Sequence, residues 1–326
     1  MQKKAHLFRI IIFISSLFFC ISTASSESAF ELSPYSKLSF GSLKEYIFVS
    51  EENQKDSKIS LLEWQEMPLL QVGLMTEGIF NLFHLKADFS YAIPVECGSM
   101  YDSDFLMLND VKTNYSIHEN TAALCFDAKI SLEYDFYLQK DFAISPIVQA
   151  HYSHRFFEAR NGYGWYGDNI PWYDDSAHYY PDGTFVLAGI DYKRQTLYTF
   201  AGFVLKILSI KDAQINLAFM LSPYTYSYAD DCHYLNKKMT ESKHFVYYNN
   251  IFLERFQTQM DFSYRFSKHC SYFLGASFLF GSCHKGDLYT DTWTEKPTLI
   301  EDQPGGVSEA TFSFYTGCKI RFSSIK

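Results

Sequence analysis

Phe83-His84-Leu85-Lys86-Ala87-Asp88-Phe89-Ser90-Tyr91-Ala92 has two unlike faces when it is read as an extended chain. Phe83, Leu85, Ala87, Phe89, Tyr91 and, one step further, Ile93 point one way. His84, Lys86, Asp88 and Ser90 point the other. A repeat of two is the side-chain period of a strand, not of a helix. The same repeat recurs at 122–136, where Ala122, Leu124, Phe126, Ala128 and Ile130 alternate with Cys125, Asp127, Lys129, Ser131 and Glu133. It returns at 256–266 and at 308–322. The alternation runs for six to eight side chains per face, longer than the usual soluble strand of about five or six residues. The polar face mixes Asp, Lys and Glu. A wall that is apolar outside and polar inside is what a strand needs to cross lipid as part of a closed barrel.

The N-terminus supports export. Lys3, Lys4 and Arg9 precede a continuous apolar stretch, Ile10 to Ile21, and Ser22-Thr23-Ala24 supplies small residues for cleavage after Ala24. The apolar run is short for an uncleaved membrane anchor. Phe19 is bulky for a lipid-attachment signal at Cys20. After Ala24 no apolar run reaches the ~18 residues of a helical span. Six of the seven cysteines follow Ala24, with no CxxC pair and no zinc-type spacing. Most therefore read as lone packing residues. With 326 residues and a net charge of -9, the chain shows no basic stripe for nucleic acid. We expect residues 25–326 to be one domain that binds no metal, needs no cofactor of its own and acts as a monomer.

Ten strands are expected, near 37–51, 57–76, 81–95, 120–137, 142–160, 184–206, 213–230, 243–267, 270–284 and 307–322. Short turns join them at Glu77-Gly78, Leu138 to Asp141, Ile210 to Asp212 and Ser267-Lys268-His269. Long polar connections join the other ends, at 51–57, 96–119, 161–183, 231–242 and 285–306. The fold class is thus all-β: a ten-stranded antiparallel transmembrane β-barrel with short periplasmic turns and long extracellular loops. Ten strands leave an interior that charged side chains largely fill, which disfavours a pore.

Two acidic motifs fall where outward-running strands end: Asp102-Ser103-Asp104, and Asp231-Cys232-His233. The even positions of the third strand face inward, and Asp102 and Asp104 keep that parity. In the seventh strand the inward positions 214 and 216 would leave Asp231 and His233 pointing out. Pro223 interrupts that strand, and a bulge there would reverse the parity and turn Asp231 and His233 inward. Tyr224, Tyr226 and Tyr228 would then face outward. Cys232 reads as a spacer on the other face. Taken alone, the Asp pair is also compatible with a solvated loop or a calcium site, and His233 with an ordinary loop histidine.

With these motifs in place, the chain resembles the omptins, an outer-membrane aspartyl endopeptidase family built on ten-stranded barrels. The resemblance rests on Gly41-Ser42-Leu43, Lys44-Glu45-Tyr46-Ile47-Phe48, Leu62-Glu63-Trp64, Met100-Tyr101-Asp102-Ser103-Asp104, Ala159-Arg160, Asp191-Tyr192-Lys193, Asp230-Asp231-Cys232-His233 and Thr316-Gly317-Cys318-Lys319. It implies an outward-facing active site that hydrolyses polypeptides, host surface proteins among them. His233 would be the general base, Asp231 would orient it, and Asp102 with Asp104 would hold the attacking water. The family favours basic residues beside the cut. Glu45 and Met100 match substrate-pocket residues, while the second acidic position is Ala229 here, and Asp230 next to it is the expected substrate-binding residue in its place. The family also uses lipopolysaccharide as an activator, held by outward basic residues, and Arg155, Arg160 and Arg194 lie near the relevant strands. The alternative is a non-catalytic barrel acting as an adhesin through its outer loops.

Overall fold

The computed structural model describes residues 28–51, 54–106, 111–166, 170–173, 177–179, 185–187, 189–208, 210–233, 241–249, 254–292, 298–301 and 303–323. The leader segment 1–24 and much of the 161–183 connection lie outside them. Ten antiparallel strands form the wall. In order they are β1 (Ser28–Glu51), β2 (Gln54–Phe80), β3 in two pieces (Phe83–Ala92 and Glu96–Asp104), β4 (Asn114–Tyr134) and β5 (Phe142–Tyr166). There follow β6 (Ile190–Ile207), β7 (Ala213–His233), β8 in two pieces (Glu241–Asn249 and Arg255–Arg265), β9 (Cys270–Thr292) and β10 (Gly305–Ser323). Each strand pairs with its neighbours in sequence, and β10 pairs back onto β1, which closes the ring. Closure pairs the last strand with the first and so removes the open edges that hydrocarbon does not tolerate.

The outer wall carries the apolar set expected from the alternation. Phe83, Phe89, Ile93, Leu124, Ile130, Phe203, Phe219 and Phe314 are all exposed on it. Ring pairs such as Phe83–Tyr134 (4.7 Å between centroids) and Phe30–Phe322 (6.2 Å) lie towards the periplasmic rim. The apolar band runs from Phe83 to Ile93 on β3 and from Leu124 to Tyr134 on β4. On β6 it begins near Leu197.

The strands are longer than the sequence pattern suggested. A 24-residue strand such as β1 is about 80 Å long. A lipid-facing apolar band is only about 25 Å tall, so the barrel rises well out of the membrane even when tilted. β1 and β2 stay paired to Glu51 and Gln54, where a longer polar loop was expected. β3 continues to Asp104, β7 to His233 and β9 to Thr292. The first periplasmic turn also moves. Glu77 and Gly78 are still in strand, opposite Glu31 and Phe30. The turn is made at Asn81, whose φ of 57° is the left-handed conformation that Asn tolerates best among non-glycine residues.

Bulges set which side chains face inward. On β4 the pairing to β5 slips between Ala122 and Leu124. Ala122 is buried and Leu124 exposed, so the two lie on opposite faces and not on one, as the simple alternation implied. Even positions face inward before the slip (Ser116, His118, Asn120) and odd ones after it (Cys125, Asp127).

The interior is filled in layers. In the middle, Asp127 collects Lys37 (2.9 Å), Gln71 (3.0 Å), His151 (3.1 Å) and two guanidinium nitrogens of Arg155 (3.1 and 3.2 Å). Arg155 Nε also donates to Glu66 at 2.6 Å. Beside this cluster, Glu309 pairs with Arg194 (3.3 Å) and Arg255 (2.9 Å). Towards the periplasm lies a polar cavity of about 390 Å³, lined by Glu77, His84, Lys86, Glu133, Asp135 and Lys206 among others. Towards the outside an apolar septum of Leu43, Leu62, Trp64, Met100, Phe157 and Tyr192 spans the barrel. The six cysteines among the described residues form no disulfide.

Burial fixes the worth of these ion pairs. Removing one member of a buried, hydrogen-bonded cluster strands the others and costs about 3–5 kcal/mol, whereas a half-exposed pair is worth about 1 kcal/mol or less. Asp127→Ala should therefore strongly lower the denaturant midpoint of the barrel in detergent micelles. Lys44→Ala, which removes the half-exposed partner of Glu63, should leave it nearly unchanged. Equal effects on the two midpoints would refute this account of the interior.

Candidate active site

β7 carries the bulge that its sequence calls for. The β6–β7 pairing slips between Thr199 and Ala201, which leaves Phe200 facing both Ser222 and Pro223. Met220 and Ser222 are buried before the slip, and Thr225, Ser227, Ala229 and Asp231 after it. Inward positions thus change from even to odd at Pro223. Asp231 points into the barrel and is 1% exposed. His233 follows it on the same face, with Nε2 2.6 Å from Asp231 Oδ2. A carboxylate only accepts, so Nε2 carries the hydrogen and Nδ1 is the basic nitrogen. Cys232 lies on the other face, in register with Asp191 and Ser242.

Asp102 and Asp104 reach the same face of the wall by two compensating irregularities. The strand breaks at Ile93–Val95, and a bulge follows between Glu96 and Ser99, where Gly98 takes φ 112°. A side chain at Gly98 would be strained and would crowd Gln65 and Met67. The two shifts cancel, and Met100, Asp102 and Asp104 face inward opposite Trp64, Leu62 and Ser60. Asn114 Nδ2 donates to Asp104 Oδ2 at 3.0 Å. Asp102 stands in register with Ser116 of β4.

Two residues along β4 from Ser116, on the same inward face, lies His118, which the motif reading did not single out. It is 2% exposed, in register with Met100, and its Nε2 is 3.0 Å from Ser116 Oγ. It sits well beyond the apolar band. Burial pushes its proton affinity down to about 4, helped by the positive charges of His233 and Arg160. Only the inward parity of Ser116-x-His118 could have flagged it, and the Ala123 bulge hides that parity.

Below the catalytic candidates lies the septum. Glu45, 1% exposed, faces inward from β1 opposite Leu62 and Val307. Met100 is fully buried over Trp64. Trp64 stacks on Tyr192 at 4.9 Å and on Phe157 at 6.1 Å. Burial, then the carboxylates of Glu45 and Asp231, hold the Tyr192 hydroxyl well above the usual phenol range, so it stays protonated. The sequence motifs do not mark Tyr192 or Trp64 as pocket residues, although both lie in the quoted stretches.

Two expectations change. Asp230 does not join Glu45 and Met100. It lies on the other face of β7, in register with Lys193 and His244, because neighbours on a strand must alternate. Ala229 faces the interior in its place, fully buried opposite Arg194. The expected lipopolysaccharide-binding arginines do not fit that role either. Arg155 and Arg194 point inward and are tied to Asp127, Glu66 and Glu309. Arg160 alone of the three is on the outer wall, bound to Asp191 at 2.6 Å.

The comparisons with known proteins agree with this architecture. The Omptin family model matches residues 36–322. The outer membrane protease OmpT from Escherichia coli shares the fold, with a TM-score of 0.76 at 14% identity over 92% of this chain and 98% of that one. The translocator domain of the autotransporter NalP from Neisseria meningitidis aligns over 98% of both chains, but with a TM-score of only 0.33 at 7% identity. No curated protein sequence matches the chain. The family match extends through both acidic motifs and nearly all of the barrel, and the chain belongs to the omptin family of outer-membrane proteases.

Proposed function

We propose that the chain is an endopeptidase that cuts exposed polypeptides next to basic residues, using water activated between His233 and the Asp102/Asp104 pair. The observation that carries this reading is the 2.6 Å bond from His233 to a buried Asp231 at the extracellular end of the barrel. In the proposed mechanism, Asp231 holds the imidazole in one tautomer and stabilises its charged form. Asp102, with Asp104 beside it, orients a water towards the scissile carbonyl. His233 Nδ1 takes a proton from that water as its oxygen bonds to the carbonyl carbon. The tetrahedral intermediate then collapses, the C–N bond breaks, and His233 returns the proton to the leaving amine. No covalent enzyme intermediate forms.

Glu45 supplies the negative charge that favours a lysine or arginine side chain in the pocket beneath. Trp64, Met100 and Tyr192 pack around the aliphatic part of that side chain. With Ala229 in the second position, one carboxylate does this work and not two. Lipopolysaccharide enters the proposal as an activator only through groups other than Arg155 and Arg194.

Cleavage of a fluorogenic peptide with a central Arg or Lys, by the folded protein in detergent with lipopolysaccharide, tests this. His233→Ala and Asp102→Ala should each lower kcat by about 10²–10⁴-fold and keep the heat-dependent gel mobility of a folded barrel. Wild-type rates in either variant would remove the assignment. Glu45→Gln should reduce kcat/KM for the basic peptide at least tenfold more than for a peptide with a neutral residue at the cut. An equal loss on both peptides would show that Glu45 does not select charge.

A further inference from the structure

The end of β3 is clasped by two consecutive residues at the entry to β4. Asp104 is the last residue of β3 and Asn114 the first of β4, and they stand opposite each other in the ladder. The Asp104 backbone carbonyl accepts from Thr113 N at 2.8 Å and from Thr113 Oγ1 at 3.2 Å. Thr113 Oγ1 in turn accepts from Leu106 N at 3.2 Å. On the β2 side, Phe105 N donates to Ile59 O at 2.8 Å. The main chain around Asp104 is therefore held where a strand end would otherwise fray. Its side chain is held as well, since Asn114 Nδ2 donates to Asp104 Oδ2 at 3.0 Å.

The two carboxylates of the pair have unlike neighbours. Asp102 stands between Leu62 of β2 and Ser116 of β4, and Ser116 Oγ lies 3.0 Å from His118 Nε2. Asp104 stands between Ser60 of β2 and Asn114 of β4, neither of which is charged. Its charged neighbour on the same face is Asp102, two residues back. Like charges on one face repel, and a carboxylate on the last residue of a strand can relieve this by turning out to solvent. The Asn114 amide opposes that turn. We propose that Asn114 is a positioning residue for the Asp pair, whose amide holds the Asp104 carboxylate beside Asp102 so that both accept from one water. The proposal rests on the reading of Asp102 and Asp104 as the pair that holds the attacking water. Asparagine suits the place because its amide donates at any pH and adds no third negative charge. An aspartate of the same shape donates only while protonated, and a leucine of similar size never donates.

Two measurements on the full chain in detergent micelles test this. The first is cleavage of the basic fluorogenic peptide with lipopolysaccharide present. Asn114→Leu should lower kcat about tenfold or more and leave KM within about twofold. Asn114→Asp should be equally slow at high pH and recover as the pH falls and the new carboxyl gains a proton to donate. Its rate relative to wild type should therefore rise severalfold towards low pH, while the same ratio for Asn114→Leu stays flat. Protonation of His233 slows all three proteins alike and cancels in the ratio. A wild-type kcat in Asn114→Leu, or ratios that are flat for both variants, would overturn the proposal. The second measurement needs no catalysis. The Asn114 side-chain amide signals, identified by their loss in Asn114→Leu, are followed by NMR against pH. They should move through the carboxylate range in wild type and stay still in Asp104→Asn. Signals that stay still in wild type would overturn the proposal. If wild type cleaves nothing, the protease reading fails, while the NMR titration still decides whether Asn114 holds Asp104.

Discussion

A β-strand offers a side chain only two directions, and one inserted residue exchanges them for everything beyond it. The candidate site depends on that constraint. Without the slip at Ser222–Pro223, Asp231 and His233 would lie on the outer wall with Cys232 inside. With it, the charged dyad enters the barrel and three tyrosines turn outward. On the far wall two irregularities are needed, at Ile93–Val95 and at Glu96–Ser99, because their shifts must cancel for Asp102 and Asp104 to remain inward. A further slip, at Asn161–Gly162, makes the slot for His118. In this barrel the irregular residues of the ladder decide which side chains the cleft contains.

The interior supports the site from below. Asp127 gathers Lys37, Gln71, His151 and Arg155, and Glu309 gathers Arg194 and Arg255. These charges satisfy one another away from bulk water, which is the condition under which a buried ion cluster is tolerable. Above them the septum of Trp64, Met100, Phe157 and Tyr192 separates the ion layer from the cleft. A substrate side chain descending past His233 would therefore meet aromatic faces and Glu45 before it met the paired charges beneath. That order of layers suits a long side chain with an apolar stem and a charged end.

Much of this was legible in the sequence, for identifiable reasons. Within the membrane band lipid and interior impose opposite demands, so the period of two is clean. The strand count and the facing of Phe83, Phe89, Asp88 and Lys86 followed from it. Pro223 announced its bulge because proline cannot donate to a ladder. Above the membrane both faces of the wall meet water, the contrast fades, and paired strand looks like polar loop. For that reason the start of β2 and the ends of β3, β7 and β9 read as connections in the sequence. The Ala123 bulge has no residue signature, since alanine is neutral to it, and so Ala122 was put on the wrong face. On β5 both faces mix polar and aromatic residues, with His151, Ser153 and Arg155 inside and Tyr152, His154 and Phe156 outside. Nothing in that pattern says where Arg155 points. Asp230 was placed in the pocket by its closeness in sequence to Ala229, and strand alternation forbids that position.

The central claim is that residues from β3 and β7, far apart in sequence, act on one water molecule. A double-mutant cycle on kcat tests it most directly, with Asp102→Asn, His233→Gln and the combined variant measured on one basic peptide. Groups that serve the same step as a unit give non-additive losses. The account predicts that the combined variant is no slower than the slower single variant, within about threefold. Losses that multiply in full would mean that the two groups act independently, and would contradict it.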